Sequence, residues 1–374
     1  MLLFWKKRWP AQLQFFQPMA ACSRMRRKLF IRLFLNPMKK YDRRSFLSKT
    51  LLPTASWIAS SSCGKTPAGT KPKVRLAIGG AQQLLYLPAT LAAQLGYYEE
   101  AGLAVDLENF PGGAKALEAM LGGSADVVCG FYDHVIQMKA EGRDLIGITL
   151  ITQYPGIVLA VAPGKTLSFA DLKGKRIGVT TPGSSTHLLT SYMLNRKGIP
   201  SDAVSIVGIG AAATAVAAME HGQVDAAALT EPALTELLSR HKLQILADTR
   251  TKQGVEQDLG VPSYPSASLY TSGGWLKQNA DVAAKLAGAM RKTLSWIANH
   301  TAAEIAAKMP ADHKGTNEER YIASLTASKA MYSPDGDWTL EGAEAVRTVL
   351  SQSMEKVARA NVNVADTFTN QVGK

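Results

Sequence analysis

From Val74 to Asp248, short apolar runs of β type alternate with helical stretches, and the alternation passes through the same order twice. In the first pass VRLAIGG (74–80), LAVDLENF (103–110), ADVVCGF (125–131) and LIGITLI (145–151) read as strands. Between them LPATLAAQLGYYEEAG (87–102), GAKALEAMLGG (113–123) and HVIQMKAEG (134–142) read as helices. In the second pass KRIGVTTPGSS (175–185), VSIVGIG (204–210), VDAAALTEPA (224–233) and LQILAD (243–248) are strands, some with their turns. THLLTSYMLNRKG (186–198) and ATAVAAMEHG (213–222) are the helices between them. Strands joined through helices need right-handed crossovers and build a mostly parallel sheet. One internal echo supports the duplication: ALEAMLGGSADVV (116–128) against AVAAMEHGQVDAAA (215–228). It places Met120 and Met219, Gly123 and Gly222, and Asp126 and Asp225 at one offset of 99 residues. The last third is different. It is helical from Leu276 to about Met309, broken by Pro310, and helical again over 318–332 and 339–360. The expected fold class is therefore α/β with two lobes. Residues 73–155 with 265–374 form lobe 1, residues 156–264 form lobe 2, and the helical tail crosses back onto lobe 1.

A chain of 374 residues with 46% hydrophobic content can fill two such cores. Its formal charge of +12 raises the question of a nucleic-acid partner. Residues 1–63, however, hold thirteen Lys and Arg against a single acid, Asp42, and the other 311 residues balance at 29 of each sign. The basic excess belongs to the N-terminus, and no nucleic-acid partner is expected.

That N-terminus reads as an address. KKYDRRSFLSKTLLPTASWIASSSC runs from basic residues through a modest apolar stretch to small residues before Cys63, the order of an export signal. Arg43-Arg44-Ser45-Phe46-Leu47 resembles a twin-arginine motif. Ser60-Ser61-Ser62-Cys63 resembles a lipoprotein cleavage site, with Ser60 where Leu is usual, so lipidation of Cys63 and simple cleavage nearby both stay open. Residues 1–37 sit awkwardly upstream, and Met38 is the expected start. Residues 64–72 (GKTPAGTKP) read as a tether. Of the three cysteines only Cys129 lies beyond the signal, too few for a disulfide or a metal cluster within the folded part. It is expected to be a small buried apolar residue. No stretch after residue 63 approaches the roughly 18–20 apolar residues of a membrane span.

The segments GYYEEAGL (96–103), GGAKALEAMLGGSADV (112–127), LKGKRIGVTTPGSSTH (172–187) and AAMEHGQVDAAALTEP (217–232) resemble the nitrate/sulfonate/taurine-type (NMT1/THI5-like) solute-binding proteins of ABC importers. The resemblance runs over about residues 72–300 and keeps the order of the motifs. It implies a periplasmic-binding-protein-like (type II) fold, a ligand closed in a cleft between lobes, and delivery to the transmembrane subunits of an ABC permease. It further implies an extracytoplasmic, monomeric protein that works without a cofactor.

Open parallel sheets bind ligands at the C-terminal ends of their strands. There the chain carries GGAQQLLY (79–86), NFPGG (109–113), CGFYDH (129–134), TPGSSTH (181–187), GIGAAA (208–213) and TEPA (230–233). In TPGSSTH, Pro182 and Gly183 turn the chain, and Ser184, Ser185 and Thr186 supply hydroxyls at a helix start whose first N–H groups lack internal partners. His187 can add a hydrogen bond. A lone N-cap needs only one hydroxyl, so three point to capture of a small anion. Pro111, Gly112 and Gly113 offer a second bare helix start. Phe131 and Tyr132 suit a wall for an organic tail, or core. Gln82, Gln83 and Tyr86 suit a polar head. Tyr154 is placed where a lobe crossing doubles as ligand wall. Glu231 suits a ligand amine, or a helix cap.

None of the six histidines has HxxxH or HExxH spacing, and neither a GxSxG elbow nor a Walker loop is present. No catalytic residue or metal site is expected. The alternative is a protein of the same fold that binds or makes a thiamine pyrimidine precursor, with His187 or His134 reactive. An export signal argues against that cytosolic chemistry.

Overall fold

A computed structural model describes residues 71–373. The export signal, Met38, Cys63 and most of the 64–72 tether lie outside the described residues.

Among the described residues, ten strands form two five-stranded sheets of the same plan. The first holds β1 (Lys73–Ile78), β2 (Ala104–Asn109), β3 (Val127–Phe131), β4 (Leu145–Leu150) and β10 (Ala267–Ser272), in the order β2-β1-β3-β10-β4. The second holds β5 (Val158–Val161), β6 (Arg176–Val179), β7 (Ser205–Gly208), β8 (Ala226–Leu229) and β9 (Ile245–Asp248), in the order β7-β6-β8-β5-β9. In each sheet the strand in fourth position is antiparallel to both neighbours: β10 to β3 and β4, β5 to β8 and β9. These are the two strands that the alternation of elements does not announce. The expected mostly parallel sheets are observed, each with one reversed strand.

The reversed strands explain the path of the chain. β5 enters the second sheet before its first parallel strand, and β10 returns to the first sheet after the last. The chain therefore crosses twice, and the crossings lie side by side. Thr249 donates its hydroxyl to Ile157 O (2.7 Å), and Thr249 N–H donates to the same carbonyl (3.0 Å). At the other end Ala267 N–H donates to Thr152 Oγ1 (2.9 Å) and Thr152 N–H to Ala267 O (3.0 Å). Both threonines are fully buried.

The 99-residue echo has a structural meaning. Asp126 accepts from Arg75 N–H (2.9 Å), and the Arg75 guanidinium reaches Gly123 O (2.9 Å). Asp225 accepts from Arg176 N–H (2.9 Å), and that guanidinium reaches Gly222 O (2.9 Å). Each clasp ties the start of one strand, β1 or β6, to the turn that leads from a later helix into its neighbour, β3 or β8. Met120 and Met219 are buried beneath. The second sheet is apolar on both faces, as Val158 and Ala160 enter one cluster while Leu159 enters the other. This is the period-two alternation of a strand covered on both sides.

Two helical expectations change. The stretch 87–102 is two helices, Leu87–Gln94 and Tyr97–Glu100, because Gly96 turns the chain at φ 72°. The tail does not pack on the first half alone. Helix Leu340–Ser353 lies against both Asp133–Ala140 and Ser185–Arg196, and Glu318–Ser328 lies against Ala233–Arg240. The larger hydrophobic cluster runs continuously through both halves, so the tail has apolar surface to cover on each.

Candidate functional site

The C-terminal ends of β1, β3, β6 and β8 converge between the sheets on a small cavity. From the first half it is lined by Gly79, Gln83, Tyr86, Gly113 and Phe131. From the second come Thr180, Ser184, Ser185, Thr186 and Thr230. Its free volume is about 10 Å³, on a scale where one water needs roughly 10–15 Å³. The cleft is therefore closed around little more than a water-sized space. No Lys, Arg, Asp or Glu is among these lining residues.

Two helices open onto the cavity without side-chain caps. Gly113–Leu121 has Gly112 at its N-cap, which has no side chain to offer. Ser185–Arg196 has Ser184 at its N-cap in extended conformation, yet that hydroxyl makes no cap hydrogen bond. It donates instead to Thr181 O (2.7 Å) and accepts from the Thr180 hydroxyl (2.8 Å). Thr186 Oγ1 completes a triangle, 2.8 Å from Ser184 Oγ and 3.0 Å from Thr180 Oγ1, and accepts from Thr180 N–H at 3.0 Å. In each helix the third N–H already bonds the N-cap carbonyl, Lys115 to Gly112 O (3.1 Å) and His187 to Ser184 O (2.8 Å). The first two N–H groups have no intrahelical acceptor, and both dipoles place positive potential at the cavity.

Across the cleft the halves touch through short polar bonds. Ser185 donates to Asp133 Oδ1 (2.8 Å), and Thr230 donates to Gln83 Oε1 (2.8 Å). Leu84 N–H donates to Glu231 O (3.0 Å). Gln83 is held in turn by its amide donating to Gly79 O (2.8 Å). Gly112 abuts Thr181 so closely that a Cβ there would lie 2.7 Å from Thr181 Oγ1. That oxygen is buried without a hydrogen-bond partner, as is Asp133 Oδ2. Burial pushes the Asp133 carboxyl up from its ordinary range, against the pull of His134 and the Ser185 hydroxyl. Closure thus leaves buried polar atoms unsatisfied, at a cost of about 1–3 kcal/mol each.

An apolar edge faces this polar side. Tyr86 and Phe131 pack edge to face with centroids 6.4 Å apart. Burial holds the Tyr86 phenol well above its ordinary pKa, so its hydroxyl stays a donor.

The structure brings Gln83, Tyr86, Gly113, Phe131, Ser184, Ser185 and Thr186 together at the cavity and places the other expected residues elsewhere. Tyr132 is core: its hydroxyl bonds Thr367 and its ring packs against Trp338 and Phe368. Glu231 is buried, accepting from Thr235 N–H (3.0 Å) and pairing with Arg250 (3.2 Å), so it is committed before any ligand amine arrives. His187 turns back to accept from Gly183 N–H at 3.0 Å, and burial lowers its pKa and keeps it neutral. Pro111 and Pro182 are exposed and, like Gly112 and Gly183, shape turns beside the cavity without lining it. Tyr154 packs against the main core next to the crossing. Gln82 faces a second, outer cavity. Three lining residues, Gly79, Thr180 and Thr230, are not singled out by the sequence reading, although Gly79 and Thr230 open two of its strand-end loops and each of the three directly follows an apolar strand. A polar or glycine residue in that first position is the signal that finds them. Asp133 sits in the same kind of place, after Phe131 and Tyr132.

Ser184 is the hub of the hydroxyl triangle. Replacing it with alanine removes an acceptor of the Thr180 hydroxyl and the donor to Thr181 O, and a loss of about 1–3 kcal/mol in unfolding free energy is expected. Denaturant unfolding of Ser184→Ala measures it, and an unchanged midpoint contradicts the network.

Two sheets of strand order 2-1-3-n-4, joined by a double crossing with a polar cleft at their strand ends, define a periplasmic-binding-protein fold. The sequence profile of the NMT1/THI5-like family matches residues 85–304, more than half of the chain. The chain belongs to that family. A solved structure from Bordetella bronchiseptica RB50 is 34% identical, with a TM-score of 0.77 over 81% of this chain and 96% of its own. The alkanesulfonate-binding protein SsuA of Xanthomonas axonopodis pv. citri, bound to MOPS, aligns at 21% identity with a TM-score of 0.63 over 81% of this chain and 99% of its own. YtlA of Bacillus subtilis (strain 168), named as a candidate binding protein, is 24% identical over 79% of this chain and 87% of its own.

Proposed function

We propose that this chain is the extracytoplasmic solute-binding component of an ABC importer, and that it takes a small organic monoanion of the sulfonate or carboxylate kind. One observation carries the reading: helix starts without side-chain caps from both halves meet, with five serine and threonine residues and the Tyr86 phenol, at a cavity lined by no charged side chain. Helix N-termini and N–H groups bind anions without a counter-cation. A dianion such as phosphate would ask for Arg or Lys, and none lines the cavity. The sulfonate bound by SsuA and the importer role of such proteins agree with this reading.

The water-sized cavity does not take an oxyanion as it stands. The anion enters as the halves part, and the Ser185–Asp133 and Thr230–Gln83 bonds give way to bonds with the ligand. The crossings at Thr152 and Thr249 serve as the hinge. The protein binds and releases, with no chemical step. Thermal unfolding against nitrate, methanesulfonate, taurine, benzoate and an aminopyrimidine tests the class. A ligand at 100 times its Kd adds about 2.7 kcal/mol, and at least one of the first four is expected to raise Tm by several degrees. Stabilisation by the aminopyrimidine alone refutes the anion reading. Product in the recovered ligand, followed by NMR, refutes the non-enzymatic one.

A further inference from the structure

Beside the water-sized cavity lies a much larger one, of about 390 Å³, within the roughly 300–1,000 Å³ of sites that hold whole organic molecules. It opens between the second half and the segment that leads into helix Glu318–Ser328. The two cavities are neighbours along the chain: Gln83 and Thr230 line the inner one, Gln82 and Pro232 the outer. The segments that contribute to both cavities are tied to each other by two cross-cleft bonds, Thr230 to Gln83 at 2.8 Å and Leu84 N–H to Glu231 O at 3.0 Å.

The outer cavity differs in chemistry. Its floor is small and apolar, from Ala213, Val216 and Ala217 on one helix and Pro232 and Ala233 at the next, with Tyr321 opposite. Its cations are already answered. Arg240 pairs with Glu220 and Glu236, Arg320 holds Glu236 at 2.8 Å, and Lys314 holds Glu318 at 2.8 Å. Burial keeps His313 below its ordinary pKa. A second anionic group would find no free cation here. At the rim Ala212 holds φ 50°, ψ −125°, a conformation that favours glycine and is kept in a non-glycine residue only where the surroundings impose it.

Resting on the anion reading above, we propose that the ligand is an amphiphilic monoanion bound in two compartments. Its head sits in the inner hydroxyl-lined cavity, and its uncharged, mainly apolar tail passes between Gln83 and Thr230 into the outer cavity. On this account nitrate is too small to be the fitted ligand, and a dicarboxylate is wrongly charged.

Calorimetric titration of the full chain with methane-, butane- and octanesulfonate tests the proposal. Affinity is expected to rise about fourfold for each added methylene until the outer cavity is filled. In Ala217→Phe, which fills that cavity from a half-buried wall position, octanesulfonate loses at least tenfold while methanesulfonate is unchanged. Ala213→Trp, at an exposed position of the same wall, repeats the test. Equal affinity for methane- and octanesulfonate in the wild type overturns the two-compartment site and leaves the anion reading standing. Absence of binding by all three sulfonates and by the matching carboxylates overturns both.

Discussion

Gly112→Val is expected to weaken ligand binding by roughly 5- to 150-fold, the equivalent of about 1–3 kcal/mol of overpacking, while leaving the ligand-free protein close to its normal stability. The position has extended backbone, φ 173°, which any residue adopts, so no local strain arises. What valine lacks is room. Its Cβ would lie 2.7 Å from Thr181 Oγ1 and 3.1 Å from Thr181 Cγ2, atoms that belong to the opposite side of the cleft. The clash exists only when the halves are closed, and it is relieved by parting them. The substitution therefore separates closure from folding. Calorimetric titration gives the affinity and thermal unfolding gives the stability. Unchanged affinity would mean that ligand binding does not bring Gly112 onto Thr181.

Arg250→Met is expected to cost about 3 kcal/mol of stability, seen as a fall in Tm of several degrees. Arg250 bonds Asp248 and reaches Glu231, whose side chain is 4% exposed. Asp248 can hydrate when the arginine is lost, but buried Glu231 cannot, and it is left with Thr235. Burial already pushes the Glu231 carboxyl above its ordinary range despite Arg250 and Thr235, and loss of Arg250 moves it further in the same direction. A folded-state pKa above the unfolded one means that the neutral acid fits the fold better. The contribution of this group is intact below its unfolded value, near 4.5, and is lost as pH rises through the raised folded value. The deficit of the variant should therefore shrink on acidification towards pH 5. A deficit that is the same at pH 5 and pH 8 contradicts this account of Glu231.

Much of the architecture was legible because the elements that build it are repetitive and local. Eight of the ten strands announce themselves as apolar runs ending in turns, and the Arg75–Asp126 and Arg176–Asp225 clasps surface as the 99-residue echo. The two strands that escaped, β5 and β10, are the ones that reverse direction. Their places are set by pairing with partners far along the chain, and no local pattern encodes that. The site was half legible for a similar reason. Residues of a loop can be read as facing a cleft, but which of them do so depends on turns that sequence does not display. Phe131 and Tyr132 are adjacent in an almost identical local setting, yet one lines the cavity and the other packs on Trp338. Glu231 invites a ligand amine until Arg250 is seen beside it. Of the motif TPGSSTH, Ser184, Ser185 and Thr186 line the cavity, whereas Pro182, Gly183 and His187 do not. Its serine and threonine hydroxyls bond Thr180, Thr181, Asp133 and each other rather than capping the helix, which leaves the helix N–H groups for a ligand.

The central claim is that a cleft without side-chain cations captures a monoanion through helix N-termini. The most direct measurement is calorimetric titration of the full chain with butanesulfonate and with sulfate at the same pH. The account predicts saturable one-to-one binding of the monoanion, with sulfate at least tenfold weaker. Tighter binding of sulfate, or binding of neither anion, would contradict it.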